Sequence, residues 1–131
     1  MNESFGKEYK LCSQKKIQEI FDERKSLRSY PFVMHYKVVN EDEKTRFQVV
    51  VSAPKRTFRK ATDRNRIKRL MRESIRKNKL YLEPFLAEQN IQLALFMIYT
   101  SKEELPLDTL MKKTQQLFKQ LINNLENDQT N

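Results

Sequence analysis

A chain of 131 residues with one His, one Cys and one Gly has room for a single modest core. It offers too few parts for the usual zinc sites, a nucleophile–histidine pair or a glycine-rich phosphate loop. Its net charge of +9 is concentrated: between Pro54 and Lys79 there are twelve basic residues and two acids, Asp63 and Glu73, and the remainder is close to neutral. Such a segment favours a polyanionic partner, because basic groups that meet phosphates release condensed counterions.

Cys12 stands alone, which excludes an intrachain disulfide and suits a reducing compartment. Its expected role is that of a small residue near a helix start. The segment Met1 to Lys10 is polar and has no signal-peptide stretch, and the longest apolar run, Leu93 to Tyr99, is too short to cross a bilayer. The expectation is a soluble cytoplasmic protein forming one domain over 1–131, with a core from about residue 10 to 125 and a frayed polar tail over 126–131.

In chain order, residues 13–24 (SQKKIQEIFDER) place Ile17, Ile20 and Phe21 on one stripe behind a Ser13 cap, which predicts a short amphipathic helix. Residues 31–39 (PFVMHYKVV) and 45–52 (TRFQVVVS) are β-branched and aromatic, and the polar turn Asn40 to Glu43 separates them. They read as an antiparallel hairpin. Residues 53–60 (APKRTFRK) form a basic connector, after which Thr62 or Asp63 can cap a helix running to about Lys79. Residues 91–100 (IQLALFMIYT) are a third, buried strand. Ser101 with Glu104 resembles a capping box, and Pro106 suits an early helical position. A last helix then runs over 107–125, with Leu110, Thr114, Leu117, Leu121 and Leu125 on one side. The order αββαβα implies helices packed on one small sheet. General odds favour a right-handed crossover through the middle helix.

At about 100° per residue, that middle helix gathers Ile67, Leu70, Met71, Ser74 and Ile75 on one side. Asn65, Lys68, Arg69, Arg72 and Arg76 gather opposite, with Arg66 and Lys77 flanking and Arg64 at the margin. Arginine forks match phosphate oxygens and stack on exposed bases, and Asn65 can hydrogen-bond a ribose or base edge. Acidic partners at i±4 are nearly absent, so the charges repel one another. Repulsion without internal relief points to an external anion rather than to a merely solvated face. A basic helix can enter a DNA major groove, but this one has an apolar face to bury and no helix-turn-helix partner or zipper. Structured RNA fits better, and no DNA or membrane partner is expected.

The run Arg64-Asn65-Arg66-Ile67-Lys68-Arg69-Leu70-Met71-Arg72-Glu73 resembles the RNR signature of the bacterial ribonuclease P protein component. Lys10-Leu11 with Ile17-Gln18-Glu19-Ile20-Phe21 resembles that family's first helix. Phe32-Val33-Met34, Val49-Val50-Val51-Ser52 and the run 91–99 resemble its strands. The resemblance implies an α/β (α+β) fold: a two-layer sandwich with a left-handed crossover, like that of domain 2 of ribosomal protein S5. It implies a subunit of an endoribonuclease that removes the 5′ leader of precursor tRNA. The chemistry would be carried by a catalytic RNA with Mg²⁺ bound mainly by that RNA, and none by the protein alone.

The resemblance further assigns RNA contacts to Arg64, Asn65, Arg66, Lys68, Arg69 and Arg72, with Arg76 as an extension. It assigns a leader cleft to Ile17, Phe21 and His35, with Lys55 and Arg56 at its mouth. Ile17 and Phe21, at i and i+4, fit a core contact as well as a cleft, and a strand His such as His35 is often a surface residue. Ile17 stands where many members carry an aromatic, and the stretch 55–62 is longer than usual and lacks their glycine. Two other functions remain open on residues alone: a standalone RNA-binding module, and a self-sufficient metal-dependent nuclease, for which no carboxylate spacing stands out.

Overall fold

A computed structural model describes residues 9–11, 13–39 and 45–130. The readings made for Cys12, for the turn Asn40 to Glu43 and for most of the segment before Lys10 lie outside the described residues. The elements are α1 (Gln14–Glu23), β1 (Ser26–Ser29), β2 (Phe32–Val39), β3 (Phe47–Ser52), α2 (Ala61–Gln89), β4 (Gln92–Tyr99) and α3 (Leu107–Thr130). The four strands form one sheet in the order β1-β2-β4-β3.

The expected hairpin between the second and third apolar runs is corrected by the pairing. β2 runs antiparallel to β4 over all eight residues, from Phe32 opposite Tyr99 to Val39 opposite Gln92. β3 lies on the other side of β4 and parallel to it, from Phe47 opposite Leu93 to Ser52 opposite Ile98. The segment Gln92–Tyr99 alternates least between buried and half-buried positions, and such a strand stabilises the sheet most at its centre, where both faces are covered. The hairpin that does form joins β1 to β2 through Tyr30 and Pro31, pairing Ser26 with His35 and Ser29 with Phe32. β1 was not expected from its polar sequence.

Side chains alternate across the sheet. Phe32, Met34 and Tyr36 of β2, Phe47 and Val49 of β3, and Leu93, Leu95, Met97 and Tyr99 of β4 are buried in one cluster with α2 and α3. Leu110, Thr114, Leu117, Leu121 and Leu125 are all buried, as the spacing predicted. These helices and the sheet make the two-layer sandwich, and α1 crosses the back of the sheet. There Ile20, Leu11 and Ala94 form a smaller cluster, flanked by Ile17, Val39, Val50 and Phe96.

Four helix ends differ from expectation and one agrees. Ser13 does cap α1, its Oγ accepting from the Lys16 amide at 3.2 Å. α2 begins at Ala61 with Lys60 in the cap position and no side-chain cap, so neither Thr62 nor Asp63 has that role. α2 also runs ten residues past Lys79, through Pro84. A proline inside a helix costs about 3 kcal/mol, but Leu82 and Leu86 are both fully buried, and burial is worth about 1.5–3 kcal/mol for each. Ser101 closes a turn rather than a helix: its Oγ accepts from the Glu103 amide at 3.0 Å. The first turn of α3 starts instead from the Pro106 carbonyl, which accepts from the Leu110 amide at 3.1 Å. α3 itself continues past Leu125 to Thr130. Among the described residues, no helix is long and apolar enough to cross a membrane.

Candidate nucleic-acid interface

Burial of Ile67, Met71, Ser74 and Ile75 against the sheet and α3 turns the opposite side of α2 outward. Asn65, Arg66, Arg69 and Arg72 are exposed on it, and Lys68 and Arg76 are half-buried. Among the described residues Arg69 and Arg72 make no hydrogen bond or ion pair, so their charges are open to an external anion.

The other arginines are engaged, and in this the face is less uniformly cationic than the i±4 spacing suggested. Arg66 donates from Nε to Glu104 at 2.5 Å and from a terminal nitrogen to Asp63 at 3.3 Å. The hydrogen bond to Glu104, followed by the charge of that carboxylate, raises the Arg66 pKa above its usual value. Arg76 forks onto Glu73 at 2.6 and 3.0 Å, and this bond holds the Glu73 carboxyl below the usual carboxylate range. Both helix pairs are spaced i, i+3, an interval the i±4 count overlooked.

Arg64 turns back from α2 onto the connector. One of its terminal nitrogens donates to the carbonyls of Phe58 and Arg59, each at 2.9 Å. Phe58 is half-buried with its ring 5.8 Å from that of Tyr99. The pair pins a loop that lacks glycine, and Lys55 and Arg56 stand exposed on the turn closed by the Pro54 carbonyl. Arg64 is thus a positioning residue for the basic connector. Phe58, its apolar counterpart, escaped notice because a single aromatic in a basic loop has no periodicity to mark it.

On the back of the sheet, Phe21 of α1 packs against His35 of β2, ring centroids 4.7 Å apart, and against Phe96 of β4 at 4.9 Å. His35 and Phe96 are direct cross-strand partners. Burial, and secondarily the charge of Arg28, lower the His35 pKa below its usual value. The next row, Val33, Ile98 and Ser52, is half-buried and lies outside the cluster under α1. Phe21, His35 and Phe96 therefore edge a partly open sheet surface, with the exposed Lys55 and Arg56 just past the end of β3. Ile17 instead packs into the small cluster around Ile20. Phe96 was legible only as part of a buried strand, since its place beside Phe21 depends on which strand pairs with β2.

These two surfaces, a cationic helix and an aromatic-edged sheet face, can be set beside known proteins. The Ribonuclease P family model matches residues 5–122. The chain is 35% identical over 105 residues to the ribonuclease P protein component of Porphyromonas gingivalis, covering 79% of this chain and 76% of that one. Against the same component of Thermotoga maritima it is 40% identical over 79 residues, 60% of this chain and 64% of that one. The fold superposes on the RNase P protein from Thermotoga maritima with a TM-score of 0.68 at 25% identity, covering 85% of this chain and 96% of the other. The Staphylococcus aureus RNase P protein gives a TM-score of 0.65 at 20% identity, covering 85% and 93%. A sequence match over most of the chain thus joins a shared fold and the RNR signature on α2, and the chain belongs to the ribonuclease P protein family.

Proposed function

We propose that this chain is the noncatalytic partner of the catalytic RNA in ribonuclease P, acting in the cytoplasm. It binds that RNA through the exposed face of α2 and holds the 5′ leader of precursor tRNA against the sheet beside Phe21 and His35. The observation that carries the reading is the pair of open arginines, Arg69 and Arg72, on a helix whose other face is buried. Unpaired guanidinium groups at fixed spacing are suited to consecutive phosphates. Lys68 and Asn65 extend the contact, and Arg66 and Arg76 join it by exchanging their carboxylates for phosphates. Lys55 and Arg56 meet the leader where it enters.

In this reading Mg²⁺ is held mainly by the RNA, and removal of the leader takes place there. With one His and one Cys in the whole chain, the protein's contribution is cationic surface that lowers repulsion between two large RNAs. That benefit falls as ionic strength rises, because exposed charges are screened within about 8–10 Å at ordinary salt. The test is a cleavage titration in Mg²⁺ of precursor tRNA with the catalytic RNA, with and without protein. The expected result is no cleavage by protein alone and a protein advantage that is greatest at low Mg²⁺ and shrinks as Mg²⁺ rises. Cleavage by RNA-free protein would overturn the assignment, and an advantage constant to high Mg²⁺ would overturn the electrostatic account of it.

A further inference from the structure

Arg66, on the α2 face, is held by a carboxylate from outside its own helix. Glu104, its nearer partner, comes from the connection between β4 and α3. That connection is built to present the carboxylate. The buried Tyr99 hydroxyl donates to the Glu103 carbonyl at 2.5 Å and accepts from the Leu105 amide at 3.0 Å. The Glu103 amide is also tied to Ser101 Oγ. Both neighbours of Glu104 are thereby pinned. Beside the pair lies a shallow depression of about 380 Å³, lined by Arg66 and Glu104 themselves together with Leu70, Leu105, Pro106 and Leu107.

The pair remains within reach of a partner, with the Arg66 side chain 54% and the Glu104 side chain 38% exposed. An ion pair so exposed adds little to stability, yet it places a negative charge on the surface that is to meet phosphates. We propose that Glu104 is a resident phosphate mimic that occupies Arg66 in the free protein and is displaced when RNA binds. It therefore sets a threshold against anions that do not offer a phosphate at that point. This rests on the reading of α2 as the RNA-binding face. Arg69 and Arg72 make the first, unguarded contacts, and Arg66 is released only to RNA already docked on them. The consequence is selectivity: Glu104 penalises casual polyanions more than the RNA whose shape delivers a phosphate to Arg66.

The test measures affinity for the catalytic RNA and for an unrelated RNA duplex, with melting curves for every variant. Glu104→Gln should tighten binding about two- to fivefold, the range expected for releasing an exposed pair. The gain should be larger for the unrelated duplex, so that discrimination falls. Glu104→Asp, which keeps the charge but withdraws the carboxylate, should reproduce part of the gain. Glu103→Gln, which removes the same charge one residue away, should not. In an Arg66→Ala background the Glu104→Gln gain should vanish, which separates a local contact from general charge removal. The mimic is overturned if Glu103→Gln gains as much, if the gain survives without Arg66, or if folded Glu104→Gln binds no tighter. Should the wild-type protein not bind the catalytic RNA at all, the reading beneath the proposal falls and takes the mimic with it.

Discussion

Inside the α2–α3 interface the Ser74 and Thr114 hydroxyls meet at 2.9 Å, and neither side chain is exposed. Ser74 Oγ also donates to the Met71 carbonyl at 2.7 Å, so in the shared bond Thr114 is the donor and Ser74 the acceptor. One turn on, Asn78 Nδ2 donates to the Ser74 carbonyl at 2.8 Å and to the Met111 carbonyl at 3.1 Å. This polar seam in an apolar interface fixes how α2 is rotated, and with it which arginines face outward.

Thr114→Val, which removes only the donor, should cost about 1 kcal/mol. Ser74→Ala leaves the Thr114 hydroxyl buried without its acceptor and should cost about 1–3 kcal/mol. Urea denaturation of both variants checks the order. If Thr114→Val proved the more damaging, the direction assigned to the bond would be wrong.

Salt dependence separates the arginines of α2. Arg69→Ala and Arg72→Ala should each flatten the slope of log K against log salt by about 0.7–0.9, the loss of one phosphate contact. Arg64→Ala should leave the slope nearly unchanged, because that guanidinium is committed to the Phe58 and Arg59 carbonyls. An unchanged slope in both Arg69→Ala and Arg72→Ala would remove them from the phosphate-binding surface.

Helix faces were legible in the sequence, and strand neighbours were not. On α2, Ile67, Met71, Ser74 and Ile75 are buried and Leu70 is half-buried, and the α3 stripe from Leu110 to Leu125 is buried as its periodicity indicated, because a 3.6-residue period is a local property. Pairing is not local. β2 and β3 are consecutive apolar runs with a polar turn between them, which is the signal for a hairpin, but β4 inserts between them and bonds to both. β1 escaped because its Ser26-Leu27-Arg28-Ser29 sequence buries a single large apolar side chain, Leu27.

The candidate site was legible to the same degree. Composition located the cationic helix, but which of its cations are free depends on tertiary contacts. Glu104 read as half of a capping box, and its place against Arg66 follows from a turn that Tyr99 and Ser101 close. Arg64 read as an RNA contact, and its turn back onto the connector follows from a loop whose course the sequence did not reveal.

Phe21→Ala should weaken capture of precursor tRNA more than binding to the catalytic RNA. Stacking of a base on an aromatic is worth about 1–3 kcal/mol, and Phe21 is half-buried beside the open part of the sheet face. Loss of a packed Phe can also cost about 3–5 kcal/mol of stability, so Phe21→Leu, which keeps apolar volume without the ring, accompanies it. Comparing affinities of the two variants for precursor and mature tRNA decides the matter. Unaltered discrimination in folded Phe21→Leu would leave Phe21 as a core residue only.

His35 gives the same proposed leader surface a pH signature. Burial and the charge of Arg28 both disfavour the imidazolium, so the folded pKa lies below the ordinary value of 6.5. As pH falls through 6.5 the unfolded chain takes up the proton first, and the folded state loses stability until the pH passes the folded pKa. The difference in unfolding free energy between wild type and His35→Gln should therefore be level above this window and shift against wild type within it. His35 is the one histidine in the chain, so its ring resonances give the pKa directly by NMR. Arg28→Gln should raise that value only in part, because burial is the larger cause. A leader oligonucleotide bound beside Phe21 would bring phosphates near the ring, stabilise the imidazolium and move the pKa upward. A His35 pKa at or above 6.5 in the free protein would contradict the burial argument. A value indifferent to saturating leader, while the catalytic RNA still binds, would remove His35 from the leader surface.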